Sequence, residues 1–290
     1  MKRKHKKYPV KLWDKKLRKA YYKILSAISV VVTLLSIKPV SSIEDGINNP
    51  YVWEIILIIY FVLLVVAYIV MWICANERKK ISLDINGNVL EIRHGSIFEE
   101  PSDVWKVVNA NEYFDTELGG KGSLVSAESV EGKYLRKFYA TGTMELDERI
   151  REQLSCVQGR KKKQRRRGKE IKYPLGTIFC DMKDNRKYLL TAFARMDDAN
   201  RAYLSMKDYV NFLMNFWEEI DKVYDGHSIT ISLFGTGIVR LDKSDVSPQE
   251  LLELIVWSFR NSHIKLAYGA KVTVLLYGEV ADRINLYNLI

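Results

Sequence analysis

The chain has 290 residues, with 45 Lys and Arg against 35 Asp and Glu, four His and three Cys. Its formal charge of +10 is concentrated: residues 1–19 hold ten basic residues against Asp14 alone, residues 160–169 hold eight, and the remainder is net acidic. That distribution argues against a uniformly basic nucleic-acid-binding domain. Cys74, Cys156 and Cys180 form no CxxC pair and the His are scattered, which argues against a zinc site or a disulfide framework and suits a reducing cytoplasm.

In chain order, a basic tail over 1–19 precedes two apolar runs, 20–37 and 52–74, separated by a short loop over 38–51. A bilayer core needs roughly 20 apolar residues of helix. The second run carries one charge, Glu54, near its outer end; the first has Lys23 near one end and Ser26, Ser29, Thr33 and Ser36 inside. Lys23 can snorkel to the headgroups, and the hydroxyls can bond back to helix carbonyls or pack against the second helix. A signal peptide shares the basic start, but no small-residue cleavage site follows and a second span comes at once. The expectation is an all-α transmembrane hairpin. Arg78, Lys79 and Lys80 flank the second run as the basic tail flanks the first, whereas the loop has one Lys and two acids. The positive-inside rule then puts both termini in the cytoplasm of a multi-pass protein of the cell membrane, with membrane lipid as a partner.

From about Ile81 strands and helices alternate. Val89–Ile92 and Trp105–Val108 read as short strands, and Thr177–Met182 and Tyr188–Phe193 as neighbouring strands around an Asp184–Asn185 turn. Ser205 caps a helix whose apolar face is expected at Val210, Leu213, Met214, Trp217, Ile220 and Tyr224. Ile229–Phe234 is a buried strand, Ser247-Pro-Gln-Glu250 is a capping box opening a helix to about Asn261, and Val272–Tyr277 is a last buried strand. Continuous apolar strands alternating with helices predict a single α/β layered domain over 81–290 with a largely parallel central sheet.

Such sheets bind ligands at the carboxyl ends of their strands. One strand runs through Asn111 and Asp115 into Gly119-Gly120-Lys121-Gly122, followed by an expected helix; another runs into Gly235-Thr236-Gly237-Ile238. Glycines let backbone N–H groups approach a phosphate, and a helix N-terminus adds partial positive charge. Two such loops on one sheet predict a diphosphate cleft. The 160–169 run has no interleaved aromatic and is read as a solvated hairpin tip beside anionic lipid rather than an RNA-binding segment. Glu112 and Asp115 are read as polar contacts to ribose hydroxyls, and no Ser/His/Asp arrangement, Walker lysine or metal motif is present.

Asn111-Glu-Tyr-Phe-Asp115, Tyr173-Pro-Leu-Gly-Thr177, Asn200-Arg-Ala-Tyr203 and Leu233-Phe-Gly-Thr-Gly-Ile238, in this order behind two apolar runs, resemble the macro-domain effector of Thoeris-type bacterial antiphage defence. The resemblance implies a macro-domain-like three-layer α/β/α sandwich binding an NAD-derived, ADP-ribose-type nucleotide made by a partner TIR-domain enzyme. No cofactor, metal or catalytic residue is expected from the residues themselves; the resemblance implies that the spans would disrupt the membrane on activation, a step for which assembly into a homo-oligomer is one route. Within it Asn111 matches the second of two ribose-facing Asn, and Val108 falls where the first would be, with Asn109 adjacent. Gly119, Gly120 and Gly122 match the first phosphate loop, Gly235, Thr236, Gly237 and Ile238 the second, and Tyr277 the adenine-stacking aromatic. Ser96 stands where an acid usually holds the adenine amino group. Two other readings stay open: a membrane-anchored ADP-ribosyl hydrolase and, less favoured, a membrane-tethered nucleic-acid binder.

Overall fold

The computed structural model describes residues 10–35, 50–119, 123–161, 165, 167–237, 239–242 and 246–289. These form two compact units: Lys79–Ile284, and residues 10–78 together with 285–289.

The helical unit contains α1 (Lys15–Leu35) and α2 (Pro50–Asn76). Tyr21 donates its hydroxyl to the Leu64 carbonyl, and the Trp72 indole donates to the Val10 carbonyl at 2.8 Å. Asn76 Oδ1 accepts from the Val10 N–H at 2.8 Å and from Asn285 Nδ2 at 3.2 Å, so the last residues of the chain belong with the helices. Tyr287 packs there with Tyr68, Met71 and Trp72. Among the described residues one stretch, Ile58–Asn76, has the length and hydropathy to cross a membrane, with a mean hydropathy of 2.8 and outward-facing Ile58, Phe61, Leu63 and Val66. Residues 36–49, the end of the first expected span and most of the loop, lie outside the described residues.

The larger unit opens with β1 (Lys80–Ile85) and β2 (Asn88–His94), joined through Asn86 and Gly87, both at positive φ, as a two-residue hairpin turn requires. Then come β3 (Trp105–Asn111), α3 (Val130–Phe138), α4 (Met144–Gln153), the short pair β4 (Arg160–Lys161) and β5 (Ile171–Lys172), β6 (Ile178–Lys183), β7 (Arg186–Met196) and β8 (Ala202–Leu204). The unit continues with α5 (Met206–Val223), β9 (Ile229–Ser232), β10 (Arg240–Leu241), α6 (Pro248–Asn261) and β11 (Lys271–Leu276). The sheet order is β1-β2-β11-β9-β3-β7-β8-β10, with β6 beside β7. From β2 through β11, β9 and β3 to β7 every pairing is parallel. The β6–β7 turn is the expected Asp184–Asn185, both residues at positive φ.

Helices cover both faces. Val108, Ala110, Leu190 and Ala192 pack with Tyr134 of α3 and Leu146 and Ile150 of α4 on one side. On the other, Phe193 of β7 stacks at 5.6 Å on Phe234 and meets Phe212 of α5 edge-on at 4.9 Å. There Trp217 touches Phe259 at 5.0 Å and donates its indole N–H to Ser258, tying α5 to α6. The expected caps are present: Ser205 Oγ accepts from the Asp208 N–H, and Ser247 with Glu250 completes a capping box. The buried face of α5 is Tyr209, Phe212, Leu213, Phe216, Trp217 and Ile220. Val210 and Met214, expected inside, are half-buried.

Candidate functional site

The carboxyl ends of β2, β11, β9 and β3 meet along one edge of the larger unit. At the end of β3 the register against β7 shifts between Ala110 and Asn111. Asn111, 5% exposed, accepts backbone N–H bonds from Tyr113 at 2.9 Å and Asp115 at 3.4 Å through Oδ1. That folds the chain into a tight turn with Phe114 at φ 51°, a conformation rare for an aromatic residue. The Asn111 amide nitrogen makes no hydrogen bond among the described residues and is left to donate. Val108, at the position matched to the first ribose-facing Asn, is buried in the α3/α4 core. Asn109 lies two residues earlier in β3, and its Oδ1 is buried without a partner among the described residues. Ser232, last in β9, has a hydroxyl in the same condition.

Asp115 does not open toward a ligand. It is 1% exposed, and Arg165 grips it with two bonds of 2.9 and 2.6 Å while the Lys169 N–H adds a third at 2.8 Å. Arg165 itself is 4% exposed and lies 3.9 Å over the Tyr113 ring. Arg167 pairs with Glu117, and Lys169 reaches Asp147 at 2.6 Å and the Phe114 carbonyl. The second half of the basic segment is therefore docked, not solvated: it straps the turn that leads into the first glycine loop. Residues 162–164 and 166 lie outside the described residues. Glu112, also expected to face a ribose, is fully buried and held by Lys172 at 3.0 Å, Arg195 at 3.2 Å and the Met196 N–H at 3.2 Å.

Beside the strap lies Glu131, in the first turn of α3. Burial raises its pKa well above the carboxylate range, the Asp115 charge adds to this, and Lys169 offsets part. A carboxyl raised on folding stabilises the fold below its unfolded pKa and loses that contribution as pH climbs through the folded value. Glu131→Gln is therefore expected to raise Tm at pH 7, with the gain shrinking toward pH 4. Equal Tm differences at both pH values in thermal melts would refute this.

In the first glycine loop, a Cβ at Gly119 would meet nothing within 4 Å among the described residues; Gly120 and Gly122 lie outside them. In the second, Gly235 has φ +82° and closes on Leu251 and Tyr209, so it shapes the turn. Thr236 spends its hydroxyl on the Leu233 carbonyl at 3.0 Å. Gly237 faces open space, and Ile238 lies outside the described residues. Tyr277 follows directly on β11, 62% exposed, with the Lys133 ammonium 5.2 Å from its ring. It lines a cavity of about 230 Å³ shared with His94, Ser96, Glu99 and Asp282. The sequence offered no signal for Glu99 or Asp282, because their place beside Ser96 depends on β2 and β11 being neighbours. Among the described residues no group of His, Cys, Asp and Glu converges on a metal position.

The family description "Thoeris protein ThsA, Macro domain" matches residues 90–277. The chain is also 36% identical over 237 residues to "Thoeris protein ThsA" of Bacillus amyloliquefaciens strain Y2, covering 81% of this chain and 78% of that protein. The chain belongs to the Thoeris ThsA macro-domain family. Solved structures of the Oceanobacillus iheyensis macrodomain are also similar. One with ADP is 17% identical, covers 70% of this chain and 90% of that chain, and has a TM-score of 0.45; a point mutant with ADPR is 18% identical, covers 70% and 92%, and scores 0.43. The match to the family spans β2 through β11, and with it the layered sheet and both glycine loops of this Thoeris-type macro-domain protein.

Proposed function

We propose that the larger unit binds an ADP-ribose-type, NAD-derived nucleotide made by a TIR-domain enzyme, and that the helical hairpin anchors it in the bacterial cell membrane as an effector of Thoeris defence. The observation that carries this reading is the pair of glycine loops after β3 and β9, with open space at Gly119 and Gly237, in a member of this family. The unspent polar atoms support it. Asn109 Oδ1 and Ser232 Oγ are buried without partners among the described residues, a costly state that a ribose hydroxyl donating to Asn109 and a ribose or phosphate oxygen accepting from Ser232 would relieve. Tyr277 offers a face for adenine, and Glu99 and Asp282 offer carboxylates for its amino group where Ser96 has none. Binding is favoured over hydrolysis because Glu112 and Asp115 are both locked in buried ion pairs, leaving neither to act as a base.

The test is thermal shift of the full chain in detergent with ADP-ribose, NAD and cyclic or conjugated ADP-ribose. Ligand at 100 times its Kd is expected to add about 2.7 kcal/mol of stability without added metal. No shift with any of these compounds would overturn the nucleotide reading.

For the hairpin, the support is the 19-residue apolar stretch of α2 and the basic residues beyond it. Ligand would act by favouring an assembly that clusters the helices and disrupts the bilayer, which requires tighter binding to the assembled state. The full chain is expected to stay in the membrane fraction after alkaline carbonate and to stop growth when ligand is made. Deleting residues 1–76 is expected to abolish both; equal toxicity of the truncated chain would refute the anchoring role.

A further inference from the structure

A second cavity, of about 350 Å³, opens between the β4–β5 pair, the start of α5 and the end of β7. None of the residues proposed to bind nucleotide lines it. That volume is at the lower end of the range for small-molecule sites. Its chemistry is cationic and rich in donors. Arg160 and Lys172 sit directly opposite each other across β4 and β5, a like-charge cross-strand pair that destabilises the hairpin unless an anion lies between them. Lys172 is partly relieved by Glu112 behind it. Arg160 has no acid partner among the described residues.

The remaining walls continue the pattern. Arg195 forms the inner wall, fixed by Glu112 on one side and by Asp208 at 2.6 Å on the other, so the one acid lining the cavity is neutralised. Asn211, three residues after Asp208 along α5, lines the same space, as does Gln158 at the entrance to β4. Neither amide is hydrogen-bonded among the described residues, and the same holds for the Tyr173 hydroxyl. Asn215 donates to the Leu175 carbonyl at 3.0 Å and so closes the far end. A guanidinium and an ammonium with neutral donors around them match a carboxylate or phosphate group that carries further polar substituents.

We propose that this cavity is a binding site for a small oxyanion-bearing metabolite, its carboxylate or phosphate held between Arg160 and Lys172. The proposal is independent of the nucleotide reading. The two sites are neighbours at the end of β3: Asn111 shapes the turn toward the first glycine loop, the next residue, Glu112, holds Lys172 and Arg195 of this cavity, and Tyr173 packs on Phe114 of that turn.

Citrate and inorganic phosphate, titrated separately into the full-length protein in detergent at matched ionic strength, distinguish a carboxylate from a phosphate occupant. One saturable site is expected for at least one of them. Arg160→Gln is expected to weaken it about tenfold, the scale of one hydrogen bond to a charged group, and Arg160→Lys to keep part of it. ADP-ribose affinity is expected to be unchanged in Arg160→Gln, and the anion to bind Gly237→Asp as it binds the parent chain. Absence of saturable binding by both probes, equal affinity in Arg160→Gln, or loss of the anion in Gly237→Asp would each overturn the proposal. The last result would place the anion in the nucleotide cleft.

Discussion

Gly237→Asp is expected to abolish ADP-ribose binding and leave the fold intact. Both halves follow from the geometry of the second glycine loop. Among the described residues a Cβ at position 237 meets no heavy atom within 4 Å, and the residue does not need positive φ, so an L side chain fits there without moving their backbone. The same change at Gly235 would confound the experiment: φ +82° strains any side chain, and Leu251 and Tyr209 lie 3.3 and 3.4 Å from the new atom. At 237 the carboxylate occupies the space where a diphosphate would lie. Like-charge juxtaposition in an interface costs several kcal/mol, enough to raise Kd by at least about a hundredfold. Gly237→Ala separates bulk from charge and is expected to weaken binding far less. The measurements are calorimetric titration with ADP-ribose and a thermal melt of each variant. Parental affinity in Gly237→Asp with an unchanged melt would put the pocket elsewhere.

The parts of this architecture legible in sequence are those governed by local pattern. The parallel strands β9 and β11 are buried on both faces, so they read as near-continuous apolar runs, while β3 shows one only over Trp105–Val108, interrupted by the buried Lys106. Ser205 and Ser247 announce their helices because a cap is a contact between residues three apart. The buried face of α5 departs in part from its expected one. Val210 and Met214 keep helical spacing with Leu213 and Trp217, but the larger rings of Tyr209, Phe212 and Phe216 fill the space under the sheet. The edge strand β1 is absent from the sequence reading, although Asn86–Gly87 is a strong hairpin signal. Two-residue strands such as β4, β5 and β10 carry too little pattern to be seen at all.

The site is half legible for the same reason. Both glycine loops and Asn111 are local motifs. The partners of Asp115, Glu117 and Glu112 lie 50, 50 and 83 residues away in Arg165, Arg167 and Arg195, and no periodicity connects them. A run of eight basic residues reads as a solvated tip because sequence shows charge without showing what faces it.

That strap makes the second large prediction. Arg165→Met is expected to destabilise the protein by about 3–5 kcal/mol, the usual cost of leaving one partner of a buried ion pair unpaired. Asp115 is 1% exposed, and after the change it keeps only the Lys169 N–H among its present donors. The exposed half of the strap sets the contrast. Arg167 and Glu117 are each nearly half exposed, so Arg167→Met is expected to cost about 1 kcal/mol or less. Replacing both partners, Arg165→Met with Asp115→Leu, removes the orphaned charge and is expected to recover much of the loss. Urea unfolding of the full chain in detergent measures all three. The turn that Arg165 stabilises runs from Asn111 to the first glycine loop, so ADP-ribose affinity is expected to fall with stability in Arg165→Met and to remain near parental in Arg167→Met. If Arg165→Met unfolded at the parental urea midpoint, the strap would be a surface ornament and Asp115 would be held by its backbone donor alone.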